Sequence, residues 1–193
     1  MDLKSFNPTN RGVTLLWLAA IVLLVSGIGF AENSYGATAE EIDASANVAM
    51  KRFYKQVKGA NEFVRGAKGL LIMPNVKKAA FIIGGEYGEG ALRVGGKTVG
   101  YYNMVSGSFG LQIGAEAKDI VIAFMTREAL EGFRASQGWE AGVDGNVALI
   151  NIGAGERVDT RTLKDPIVGF VFDVKGLIAD LSLKGAKFTK LNK

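Results

Sequence analysis

The run Gly85-Glu86-Tyr87-Gly88-Glu89-Gly90 sets two carboxylates among closely spaced glycines, and Asp144 is a third acid near a strand end. Convergence of at least two of Glu86, Glu89 and Asp144 in one cleft would suit hydrolysis or a hard metal ion. Carboxylates near strand ends are ordinary, and spacing does not bring these together. A phosphate-binding loop is excluded on context: no strand before and helix after supplies an amide-lined anion site, and the acids repel phosphate. Ser106 and Ser108 have no base to activate them. The 193 residues contain no His and no Cys. That removes the commonest general base, the usual triad, thiol nucleophiles, thiolate metal sites and disulfides. No catalytic residue, metal site or cofactor is therefore assigned.

The second chemical resource is positive charge. Between Lys51 and Lys78 lie eight cations, Lys51, Arg52, Lys55, Lys58, Arg65, Lys68, Lys77 and Lys78, against Glu62 alone, a net of +7. The chain from Glu40 onward nets +4, so its remainder sums to −3. Such a segregated basic surface suits nucleic acid, anionic lipid or an acidic protein. Nucleic acid is disfavoured, because no aromatic platform interleaves with these cations and an exported protein rarely meets it. The plain alternative is a solvated face with no partner.

An amphipathic helix must position the first of these cations. Thr38 with Glu41 reads as a capping box, and a helix is predicted from about Ala39 towards Lys58 or beyond. Ile42, Ala46, Ala49, Met50, Phe53, Val57, Ala60 and Val64 fall on one stripe, with the cations opposite. The stripe packs on the protein's own core or lies on a membrane, and the two uses compete.

The rest reads as β structure. Leu70 to Met73 and Ala79 to Ile83 are short apolar runs separated by Pro74-Asn75, leading into the glycine-dense segment, which is a tightly packed seam or a site. Gly95-Gly96 is a turn signal before Val99 to Val105. Val105 to Ala117 alternates small and apolar residues, which suits helix-on-sheet packing or room for an acyl chain. Ile120 to Met125 reads as a buried strand, and Thr126 caps a short helix ending before Gly138. Trp139 to Ile152 reads as one long strand, 153–166 as a mobile loop, and Ile167 to Val174 and Leu177 to Leu191 as further strands. With 26 Gly and 3 Pro, and no recurring strand-helix-strand alternation, the expectation is one α+β domain. It should hold a large, mainly antiparallel, curved or barrel-like sheet, an N-terminal amphipathic helix and one or two short helices.

The N-terminus has the order of an export signal: Lys4 and Arg11, the apolar run Val13 to Val25, then small residues. Residues 1–31 are read as that signal, with cleavage after Ala31 favoured over Ala39 and an uncleaved anchor as the alternative. Residues 40–193 form the domain. The protein is then exported, and periplasmic or envelope-associated.

Six blocks, AKGLLIMPNVKKAAF, GGEYGEG, YYNMVSGSFGLQIGA, IVIAFMT, GWEAGVD and KGLIADLSLKGAKF, together resemble the SYLF-domain family in order and spacing, from about Ala39 to the C-terminus. The resemblance implies a non-enzymatic lipid-binding domain. Eukaryotic relatives recognise phosphoinositides through a basic amphipathic N-terminal helix and neighbouring basic surface, and some fungal ones bind actin. The matching positions are the eight cations, which become the expected lipid-binding residues. An exported protein meets neither actin nor phosphoinositides, so anionic phospholipid is the expected partner. A carboxylate-based hydrolase and a protein-binding structural protein of the envelope are the alternatives.

Overall fold

The computed structural model describes residues 36–79, 84–108, 116–152, 164–176 and 182–193. The expected export signal, residues 153–163 of the loop expected over 153–166, and most of the small-residue stretch, 109–115, lie outside these. So do the ends of two expected strands, at 80–83 and 177–181. Among the described residues, no helix is long and apolar enough to cross a membrane.

Helix α1 spans Ala39–Gln56, and its start is the expected capping box: the Thr38 hydroxyl accepts from the Glu41 N–H while the Glu41 carboxylate accepts from the Thr38 N–H. The predicted single helix is in fact two. Val57 turns extended and Gly59 adopts φ +81°, a left-handed conformation costly for other residues, before α2 resumes over Ala60–Gly66. Helix α3, Arg127–Ala135, starts at Thr126, whose hydroxyl accepts from the Ala129 N–H.

Eight strands form one curled, open sheet, a half-barrel. They are β1 (Gly69–Ala79), β2 (Gly84–Val94), β3 (Lys97–Ser108), β4 (Glu116–Phe124), β5 (Trp139–Glu140), β6 (Ala148–Asn151), β7 (Ile167–Lys175) and β8 (Lys187–Leu191). Their order is β5-β8-β3-β2-β1-β4-β7-β6, antiparallel throughout except for β6 beside β7.

Two strand expectations need correcting. Pro74-Asn75 does not end a strand: β1 runs through it as a bulge, with the register slipping by one residue against both β2 and β4. Pro74 has no N–H to give the ladder, and Asn75 takes φ +49°. The expected strand over 139–152 is broken by a turn at Gly142–Asp144, which leaves two short edge strands.

Alternation along the strands builds a core on each face. On one, Ile72, Ala91, Val121, Phe170 and Phe172 pack against the α1 stripe and α2, with the rings of Phe53 and Phe63 5.1 and 4.7 Å from Phe170. On the other, Leu71, Met73, Leu92, Met104, Ile122 and Val171 pack under Leu130 and Phe133 of α3, with Trp139 and Phe188. Because both faces of β4 are covered, its run of apolar residues is continuous.

Candidate functional site

The apolar stripe of α1 is spent on the core. Ile42, Ala46, Ala49, Met50, Phe53 and Val57 are all buried against the sheet, so they are not available to a membrane while α1 is docked. The helix is held at both ends. Near its start, Asp43 accepts from Thr98 (2.7 Å) and Tyr101 (2.9 Å) and lies 3.5 Å from Arg93, tying α1 to the β2–β3 hairpin. Burial opposes the charge on Asp43. The hydrogen bonds from Thr98 and Tyr101 and the Arg93 charge outweigh it and hold the carboxyl below its ordinary value.

Towards its end, Arg52 turns inward. Its guanidinium places Nε 2.7 Å and Nη2 2.6 Å from the Asp119 carboxylate on β4, and Nε 3.2 Å from Asp173 on β7. Asp119 is 1% exposed and also accepts the Asn75 N–H at 2.9 Å. Arg52 therefore clamps the helix to the β1 bulge.

That leaves Lys51 and Lys55, one helical turn apart on the outer side of α1, and Lys58 in the turn just past its end, all exposed. Among the described residues, no carboxylate pairs with them. Two large apolar side chains, Val48 and Tyr54, stand half-exposed beside them. The remaining expected cations disperse. Arg65 is exposed on α2, and Lys68 and Lys77 are exposed at opposite ends of β1, about 30 Å apart at the usual rise per residue. The side chain of Lys78 lies outside the described residues.

The acids do not converge. Glu86 and Glu89 are three residues apart on β2 and point to opposite faces. Glu86 is buried and paired at 2.8 Å with Lys118, itself buried. Glu89 accepts from Tyr87 (2.7 Å) and meets Lys193 at 3.1 Å. Asp144 accepts from the backbone N–H of Glu140 at 2.7 Å and closes its own turn. The cleft required by the hydrolase alternative is not built by these three residues. Among the described residues, no group of three or more acids could hold a metal ion.

The glycine-dense segment is a seam. A Cβ at Gly90 would collide with the Ile72 carbonyl oxygen and come within 2.5 Å of Met73 Sδ, and one at Gly88 would come within 2.8 Å of Val76. These glycines let β2 lie against β1 where the bulge crowds it. Sequence reading did not find Lys118, Asp119 or Asp43, because their partners lie 32 to 67 residues away and no local pattern marks them.

Residues 105–193 match the family described as Ysc84, Las17-binding protein actin regulator. The match is to the SYLF domain that the six sequence blocks resemble, a family of binding-type domains. It covers the end of β3 through β8 and lies C-terminal to α1 and the basic segment. No curated protein matches the chain.

Proposed function

We propose, from the SYLF match over residues 105–193, that this protein is a non-enzymatic lipid-binding domain. It docks on anionic phospholipid through the outer side of α1. The observation that carries this reading is the exposed Lys51, Lys55 and Lys58, which have no ion-pair partner among the described residues, flanked by exposed Val48 and Tyr54. Cations supply attraction to an anionic surface, and the two apolar side chains reach the headgroup boundary, where a tyrosine's mixed character fits. At about 1 kcal/mol per lysine, the three contribute roughly 3 kcal/mol in low salt. Such binding is weak, reversible and screened over a Debye length of about 10 Å at 0.1 M salt. Arg65, Lys68 and Lys77 add long-range attraction, whereas Arg52 acts through the fold. The export-signal order of residues 1–31 supports a periplasmic or envelope location, where the domain would face such a membrane.

A protein partner is the second reading, favoured by the family's description as Las17-binding. Cosedimentation of the Gly36–Lys193 unit with phosphatidylglycerol-containing and neutral vesicles separates the two. Lipid docking requires binding to anionic vesicles alone, weakened by salt and lost in Lys51→Gln/Lys55→Gln/Lys58→Gln. Protein that stays in the supernatant with both vesicle types overturns it and leaves the protein partner.

A further inference from the structure

Helices α1 and α2 cover only part of their side of the sheet. Beyond the Arg52–Asp119 clamp, strand register sets Lys175, Ala117, Lys77, Tyr87, Val105 and Lys187 in one row across β7, β4, β1, β2, β3 and β8. Directly paired residues point to the same face. Here it is the α1 face, since Ala91 and Tyr101, which have the same parity as Tyr87 and Val105, pack with the helices. Tyr87 and Val105 form a cross-strand pair that is 49% and 51% exposed. Next to them, Gly85 pairs with Gly107, and a Cβ at Gly107 would meet nothing within 4 Å, so the pair stands clear on that side.

The row is cationic. Lys77 and Lys187 are exposed and have no ion-pair partner among the described residues, and Lys175 is 66% exposed with only a 3.6 Å contact to Asp173. Glu140, opposite Lys187 on the edge strand β5, makes no ion pair with it. Glu89, one step along β2, is neutralised by Lys193 and holds the Tyr87 hydroxyl. Lys77 and Lys187 flank the apolar pair with about 14 Å between them, and Lys175 extends the row to about 24 Å at the usual strand spacing.

We infer that this row is a second bilayer contact, separate from the outer side of α1, with anionic phospholipid as its ligand; the inference rests on the lipid-docking reading above. An exposed tyrosine and valine between unpaired lysines complement a surface that is negative outside and apolar beneath. An anionic polymer or an acidic protein would complement the lysines but leave Val105 without a partner. Both surfaces lie on the same side of the sheet, so one membrane can reach them together.

The absence of cysteine permits single-site labelling. An environment-sensitive fluorophore is placed on Val105→Cys, on Tyr54→Cys in α1 and on Gly132→Cys in α3, on the far face of the sheet. Each labelled Gly36–Lys193 unit is mixed with phosphatidylglycerol-containing or neutral vesicles. Labels at 105 and 54 should brighten and shift to the blue with anionic vesicles only, while the label at 132 stays unchanged. Lys77→Gln/Lys187→Gln should partition roughly 30-fold more weakly at low salt. A response at 54 with silence at 105, or unchanged partitioning of the double variant, overturns the second contact and leaves lipid docking standing. Equal responses at 105 and 132 overturn it as non-specific adsorption. Silence at all three positions, with no cosedimentation, overturns both.

Discussion

Removing the Asp119 carboxylate should unfold this domain more readily, with the fold and not lipid contact as the cause. Asp119 is 1% exposed and accepts two hydrogen bonds, from Arg52 Nε at 2.7 Å and the Asn75 N–H at 2.9 Å, with Arg52 Nη2 in ion-pair contact at 2.6 Å. In Asp119→Ala, Arg52 keeps only Asp173, which Lys175 also shares, and the bulge amide loses its acceptor. Breaking a buried pair by deleting one partner costs about 3 to 5 kcal/mol when the other charge is left buried and alone; Arg52 is 26% exposed and keeps Asp173, so the lower end, about 3 kcal/mol, is expected. For a domain of this size, each kcal/mol lowers Tm by about 2 to 4 °C, so the expected loss is about 6 to 12 °C. Arg52→Gln should lose a comparable amount, since it strands Asp119 instead. Lys51→Gln, Lys55→Gln and Lys58→Gln, changes at exposed and unpaired positions, should each stay within about 0.5 kcal/mol of wild type. Thermal melts followed by circular dichroism at neutral pH would rank the variants. An Asp119→Ala variant that melts with the wild type would refute the clamp. So would an Arg52→Gln variant that keeps its Tm while losing vesicle binding as the lysine variants do.

Gly90→Ala should cost about 3 kcal/mol or more, because its Cβ meets the Ile72 backbone, whereas Gly85→Ala, whose nearest neighbour is the Ser106 carbonyl oxygen at 3.6 Å, should stay within about 1 kcal/mol. Urea midpoints test the contrast, and equal midpoints would refute the seam. Asp43 is held below its ordinary value of 3.8, so its stabilising effect is complete above that pH and is lost as pH falls through the lower folded-state value. The Tm gap between wild type and Asp43→Asn, open at neutral pH, should therefore close in acid below pH 3.8, and a gap independent of pH would refute the role given to Thr98, Tyr101 and Arg93.

Features set by local periodicity were legible along the chain. The Thr38–Glu41 cap is a local sequence signal, and the buried face of α1 with Lys51 and Lys55 opposite it comes from a 3.6-residue repeat that neighbouring residues impose. The short apolar run Leu70 to Met73 and the buried run of β4 announced a sheet, and the Thr126 cap announced α3. The resemblance to the SYLF family agrees with the match over residues 105–193.

Tertiary structure decided which cations are free. Arg52 belongs to the same basic run as Lys51, yet only the docking of α1 over Asp119 turns it inward. Lys68 and Lys77 are near in sequence and far apart in space, because an extended strand carries them to opposite ends of the sheet. Conversely, Lys77, Tyr87, Val105 and Lys187 are scattered over 110 residues and meet in one row. Strand register is set by which apolar faces must be buried and by the one-residue slip at Asn75, and both are properties of paired strands that no single segment contains.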